Sequence, residues 1–558
     1  MSISDSAPIL NNETPTISTT IPTPCSDTMQ DYINAGSETI ASSNACQVIH
    51  NEDMRHRLFA IWAGIWGKSV EEVERCLHPK QLEAIQFLYQ KQDVILIART
   101  GFGKSLIFQS VPLLRKDSIA LLIYPLSALE QDQHQDIAKL PGARPFILDA
   151  RSNTIENRKN IGSGEYTHIL TSPEIAVENP KFRDEVLIKP AFRRQLCLVA
   201  IDEMHMIEQW GKGFRKAFGN LSILRAHTSG VPWFGASATL DPGIYEDVKR
   251  AAGFRPGSHT HLIRMPIDRP DILINMQVLG KDHSKHKELK FLIQDPGTFI
   301  PKTIIYLEYI NDCRKVRGHL KEFFKASGWT EPQLRDLIRT YHGELDEEQK
   351  KLLSGELTKP ESKHRIFIAT DALGMGVNGP DVARVIQWGT PRGGIRSLWQ
   401  RAGRAARGKD VAGGEFICFF SPELQGPLLD DLLKDDYAKG ISPDKQSKQD
   451  ATRRSDLPQG LYKLFNTAGC YREVILEFFA NQKSRTPYNS GCCSNCSVVE
   501  TTTEVSLQVQ LYEYEPAIPY ASQGRQNDMI ARLTAWSQET FRRRFADTLV
   551  ARAHSVEV

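Results

Sequence analysis

Short, nearly continuous apolar runs recur along the chain, each bounded by polar or turn-forming residues. In the first half they are DVILIA (93–98), SIALLIY (118–124), THILT (167–171), LCLVAID (196–202) and VPWFGAS (231–237). A strand with one wet face would alternate apolar and polar residues. Runs without that alternation are buried on both faces, as in a parallel sheet covered by helices. After a polar break near 280–300 a second series follows: KTIIYLE (302–308), LIRTYH (337–342), HRIFIAT (364–370), RVIQWG (384–389) and GEFICFF (414–420). The pattern predicts an α/β protein with two parallel-sheet domains in tandem and a ligand cleft between them.

The flanking segments read differently. Residues 1–52 are rich in Ser, Thr, Asn and Pro, and are expected to be disordered. MRHRLFAIWAGIWGKSVEEVERCL, from 54, has a helical pattern. The expected domains are 53–280 and 281–425, then a small helical subdomain at 426–500 and a tail at 501–558. Within this, 421–465 reads as polar and loop-rich, and the tail leaves no room for a further complete domain.

Composition changes this picture little. The net charge of +2 does not announce a nucleic-acid partner, so any basic surface is local. No apolar run is long enough to span a bilayer, and the first twenty residues lack the form of a secretory signal. A reducing intracellular compartment is expected, and ten cysteines in 558 residues do not form a disulfide framework.

Candidate chemistry sits at the ends of the apolar runs. ARTGFGKS (98–105) follows the first. Thr100, Gly101, Phe102 and Gly103 would turn backbone N–H groups around phosphate oxygens. Lys104 supplies a positive charge to them, and Ser105 a hydroxyl to Mg²⁺. IDEMH (201–205) ends another run: Asp202 can hold Mg²⁺, Glu203 can orient and deprotonate an attacking water, and His205 can relay hydrogen bonds toward the second domain. QRAGRAARG (400–408) adds Gln400, Arg404 and Arg407, with the two arginines expected on one helix face as charge-stabilising fingers. ATP and Mg²⁺ are the implied ligands. Cys470 and GCCSNC, with Cys492, Cys493 and Cys496, are candidate ligands of a structural Zn²⁺.

These motifs, in this order, resemble the superfamily 2 helicases, and the pieces between them resemble the RecQ DNA helicases. Those pieces are LHPKQLEAI (77–85), EQWGKGFR (208–215), RPDIL (269–273), TIIYLEYINDCRKV, YHGELDEEQK, IATDALGMGVNGPDV and PRGGIRSLWQRAGRAARG. The resemblance covers about 75–500 and implies two RecA-like domains followed by a small helical zinc-binding subdomain. It further implies an adenine contact at Gln81, and an aromatic loop in which Trp210, Phe214 and Arg215 sense single-stranded DNA. Trp210 and Phe214 offer faces on which bases of any sequence can stack. The implied activity is ATP-dependent 3′–5′ translocation on single-stranded DNA and duplex unwinding, in recombination, repair and replication, hence in the nucleus. The chain departs from the family at DEMH for DEAH, at Gly213 and Lys216 for Asp and Pro, at His78 for Arg and at Ala406 for Gly. An RNA helicase of the same superfamily and a non-unwinding DNA-binding accessory protein are the alternatives.

Overall fold

The computed structural model describes residues 52–496 apart from 126, 212–214, 281, 374–378, 409–412, 429–430, 432–444, 482 and 484–490. The expected disordered segment, up to residue 51, and the tail from 501 lie outside the described residues. Among the described residues no helix is long and apolar enough to cross a membrane.

Seven parallel strands form the first sheet. They are β1 (Asp93–Ile97), β2 (Ile119–Ile123), β3 (Pro145–Leu148), β4 (His168–Thr171), β5 (Leu196–Ile201), β6 (Trp233–Ser237) and β7 (Thr260–Arg264), in the order β3-β4-β2-β5-β6-β1-β7. The second sheet has six: β8 (Ile272–Val278), β9 (Lys302–Tyr306), β10 (Ile338–Tyr341), β11 (Ile366–Ala369), β12 (Val382–Trp388) and β13 (Gly414–Phe420), in the order β10-β11-β9-β12-β13-β8. All pairings are parallel. All ten apolar runs are strands, as expected.

The two-sided burial is explicit in β1. Ile95 and Ile97 enter one core, Val94 and Leu96 the other, because successive side chains leave opposite faces of a strand. The first of these cores continues through Ile304 and Tyr306 of β9 to Leu461, Ile475 and Cys493. A single apolar layer therefore joins the inner faces of both sheets to the cysteine-bearing subdomain.

Two expectations are corrected, the domain boundary and the loop-rich stretch, and the helical stretch from 54 is borne out in finer detail. The boundary at 280/281 falls too late, since β8 pairs with β13 and so belongs to the second sheet. Its sequence, ILINMQV, interleaves polar residues because its outer edge is wetter, and an apolar-run criterion passes over it. The helical stretch from 54 is two helices, Glu52–Trp66 and Val70–Cys76. The break comes at Gly67, with φ of 60°, and Ser69 caps the second helix together with Glu72. The stretch read as loop-rich contains helices Lys445–Ser455 and Gln459–Asn466. The first has little apolar surface and is anchored by buried Arg454, which donates to the carbonyls of Glu423, Gln425 and Pro427.

Candidate nucleotide and nucleic-acid site

The phosphate loop follows β1, and the acidic pair follows β5 on the other side of β6. Both lie at the carboxyl ends of parallel strands, where ligands of such sheets bind. Gly101 and Gly103 have φ of 83° and 81°, and Gly103 caps the helix Lys104–Ser110. A Cβ on Gly103 would stand 2.5 Å from Gln81 Nε2, so conformation and space both require glycine there. Lys104 Nζ donates to the carbonyls of Ala98 and Arg99, both at 3.1 Å. Burial pulls its pKa down, while Glu203 and Asp202 favour its charge. Ser105 Oγ accepts a 3.4 Å hydrogen bond from Gln133.

Gln81 is fully buried. Its Oε1 accepts from the His78 N–H at 2.9 Å, and its Nε2 donates to the Phe102 and Gly103 carbonyls at 2.8 and 3.3 Å. Gln81 thus clamps the phosphate loop to the segment that begins at His78. The His78 ring lies 5.0 Å from that of Phe102, and burial pushes its pKa down to about 4. A neutral imidazole therefore borders Phe102 of the phosphate loop.

At the end of β5, burial and then Glu203 push the Asp202 carboxyl upward, against the pull of Lys104. Glu203 has φ of 50°, a strained backbone for a non-glycine residue. Its Oε2 is buried, stands 3.4 Å from His205 Nδ1 and, among the described residues, accepts no hydrogen bond. A carboxylate oxygen held in this way is suited to receive a proton from a bound water. His205 is buried, with Nδ1 3.0 Å from Ser237 Oγ. Gln400 of the second lobe is close enough to favour the protonated form of its ring.

The arginines reach the same place by a different route from the one expected. The helix Gly394–Ala402 ends before Arg404 and Arg407, which therefore sit in the following turn and not on a helix face. Arg269 explains the stop. Its guanidinium takes the carbonyls of Gly403 (3.1 Å), Ala405 (2.8 Å) and Ala406 (3.0 Å), which a continued helix would use. The turn brings Gly403 against the phosphate loop, where an added Cβ would lie 3.4 Å from Thr100 Oγ1. Arg407 is half-buried. Burial, then Arg404 and Arg269, push its pKa down, and Glu203 opposes them. Ala406 has φ of 51°. Ala406→Gly is therefore expected to leave activity intact and to change stability by less than ~1 kcal/mol, because relief of left-handed strain offsets the added freedom of the unfolded chain. A thermal melt beside Ala406→Val, expected to be clearly destabilised, checks this.

Of the aromatic loop, Phe214 lies outside the described residues. Trp210 is on the helix Met206–Gly211, with its side chain outside the described set. Arg215 is turned toward the helix Pro173–Glu178. It pairs bidentately with Glu174, at 2.6 and 2.5 Å, and donates to the Pro125 carbonyl.

The four expected thiols converge. Cys470, Cys492, Cys493 and Cys496 have their sulfurs within 4.8 Å of one another, with Cys470 Sγ 3.6 Å from Cys492 Sγ and 3.8 Å from Cys493 Sγ. Tetrahedral thiolates about 2.3 Å from one ion stand nearly that far apart, so the cluster fits a closed metal site. Adjacent Cys492 and Cys493 both contribute because Cys493 bridges to Ile274 of β8, and Ser494 N donates to the Ile274 carbonyl at 2.9 Å.

Sequence reasoning missed Arg269, the Asp268–Arg472 pair and Arg396. RPDIL marks the first of these only as an order signal, and their partners are remote in sequence.

The family comparisons agree with this geometry. A DEAD/DEAH box helicase model matches residues 78–248, and a helicase conserved C-terminal domain model matches 286–409. The chain is 29% identical over 76% of its length to a Caenorhabditis briggsae protein named for ATP-dependent DNA helicase Q1. It is 26% identical over 75% to the ATP-dependent DNA helicase RecQ of Haemophilus influenzae, and 26% identical over 74% to a mimivirus protein whose name describes an ATP-dependent RNA helicase. It spans 63%, 60% and 69% of those three proteins, respectively. A DUF1998 helicase, MrfA, crystallised with DNA, shares the fold at a TM-score of 0.50 and 17% identity, over 78% of this chain and 60% of that one. Two RecA-like domains carrying these motifs define a superfamily 2 helicase. Within that superfamily the chain is RecQ-like.

Proposed function

We propose that the protein is an ATP-dependent DNA helicase that translocates 3′–5′ on single-stranded DNA and opens duplexes, in recombination, repair or replication and hence in the nucleus. One observation carries the reading. Gly403 of the second lobe sits against Thr100 of the phosphate loop, and the charge of Arg407, four residues on, acts on those of Lys104 and Glu203, so ATP bound there would touch both lobes. Hydrolysis that needs both lobes together and product release that parts them turn chemistry into motion. Ser105 and Asp202 would hold Mg²⁺, which neutralises phosphate charge. Glu203 takes the proton of the attacking water, and Lys104, Arg404 and Arg407 hold the charge that develops. The RecQ-named relatives and the four thiols support DNA as the track. The mimivirus relative's name points to RNA, and the test separates the two.

ATP hydrolysis is measured with no nucleic acid, with single-stranded DNA and with RNA, beside Trp210→Ala. Stimulation by DNA above RNA, lost in the variant, is the expected result. Stimulation by RNA alone overturns the DNA assignment, and none by either overturns the motor. For the thiols we expect about one zinc per chain, with chelation lowering the melting temperature, because a closed thiolate site folds its segment. Metal-free protein with an unchanged melt overturns the zinc assignment.

A further inference from the structure

The helix Gly394–Ala402 presents Arg396 and Gln400 to the first lobe, one turn apart and so on one face. Gln400 meets His205. Arg396 Nε donates to Asp241 Oδ2, and its Nη1 stands 3.6 Å from Glu208 Oε2. Its guanidinium also lies 5.7 Å from the centre of the Phe478 ring, on the helix Tyr471–Phe478 that follows Cys470. One side chain therefore touches the residue two before Trp210, the cap of the helix after Ser237-Ala238-Thr239, and the cysteine-bearing subdomain.

The two carboxylates differ. Asp241 is 5% exposed and caps the helix Pro242–Ala252 through Gly243 N, at 2.9 Å. It belongs to the rigid sheet-bearing part of the first lobe. Glu208 is 24% exposed, its ion pair is looser, and it lies on the helix Met206–Gly211 that also carries Trp210. Asp241 remains satisfied by its cap when the lobes part, so its bond to Arg396 reports closure. Glu208 draws on the same guanidinium from the helix that carries Trp210. Any movement of that helix changes the charge that Arg396 shares with Asp241. It is felt one turn away at Gln400, His205 and, 3.4 Å further, Glu203.

We propose that Arg396 is the positioning residue that couples the nucleic-acid state of the aromatic loop to closure of the lobes over the nucleotide. This rests on the helicase reading. It assigns to Arg396 no contact with ATP or its phosphates.

The test measures kcat and KM for ATP, with and without single-stranded DNA, in Arg396→Ala, Arg396→Lys, Glu208→Gln and the Arg396→Ala/Glu208→Gln pair. The basal rate of Arg396→Ala should stay within about twofold of wild type while its DNA-stimulated kcat falls roughly 5- to 50-fold, the span of ordinary coupling between sites. Arg396→Lys should recover part of the loss, since a point charge replaces the fork. Glu208→Gln should lose stimulation more mildly, and the double variant should be no worse than Arg396→Ala, as for residues in one network. Glu208→Gln removes only a partly exposed charge, so it reports even if Arg396→Ala folds poorly. Undiminished stimulation in Arg396→Ala and Glu208→Gln overturns the proposal, as does an equal fall of basal and stimulated rates in both. Wild-type protein without DNA stimulation overturns the helicase reading and this coupling together. A stimulated wild type with equally stimulated variants overturns the coupling alone.

Discussion

Replacing Arg407 by alanine is expected to cut ATP turnover by on the order of 10³-fold while leaving nucleotide affinity within a few-fold, the pattern of a group that acts on the transition state. The reason lies in how charge is crowded around the turn. Arg407, Arg404 and Arg269 press on one another, and burial adds to the cost of keeping the Arg407 guanidinium charged. Such a cluster is relieved by an anion whose charge grows as the phosphoryl group transfers. Glu203 of the other lobe already favours the Arg407 charge, so the two lobes are electrostatically joined across the site. Steady-state kinetics with a fluorescent-nucleotide titration read the two effects separately. A variant impaired in KM alone would show that Arg407 binds nucleotide in its ground state and is not a finger.

The largest expected effect on stability belongs to Arg472. Its guanidinium pairs with Asp268 at 2.8 Å, both side chains at most 1% exposed. It also donates to the carbonyls of Arg269 (2.9 Å), Ile272 and Cys492 (2.9 Å). Arg472→Ala leaves a buried carboxylate uncompensated and strips those carbonyls of a donor, for a loss of about 3–5 kcal/mol. Urea unfolding at fixed zinc concentration measures it. Adding Asp268→Asn should recover part of the loss, because it removes the stranded charge. A loss below about 1 kcal/mol would mean that water reaches Asp268. The pair also matters for the site. Arg472 holds the segment 268–272, Arg269 in that segment holds the turn, and the turn carries Arg404 and Arg407. The cysteine-bearing subdomain therefore braces the arginines from behind.

The nucleotide machinery was legible because each part is local. Gly101-Phe102-Gly103-Lys104-Ser105 must lie together between a strand and a helix to encircle phosphates, so contiguous sequence carries the whole signal. Asp202 and Glu203 were legible for the same reason, at the end of an apolar strand. The cysteines were legible by spacing, and the bridge of Cys493 to β8 lets the adjacent Cys492 and Cys493 sulfurs both reach the cluster. The strand β8 was missed because its edge face is wet. The helix expected under Arg404 and Arg407 was wrong because the competitor for its carbonyls, Arg269, is more than 130 residues away in sequence.

By itself, the sequence determined the α/β class, all ten expected strands, the phosphate loop, the acidic pair and the four converging thiols. Each rests on burial periodicity or on residues that act within a few positions of one another. Only the tertiary structure decided where the second lobe begins, that Gln81 clamps the loop, that Arg215 turns to Glu174, and that Arg396 joins Asp241 and Glu208 across the lobes. Charge pairing and carbonyl capture between distant segments depend on which side chains the fold brings within about 3 Å, a distance that no local pattern encodes.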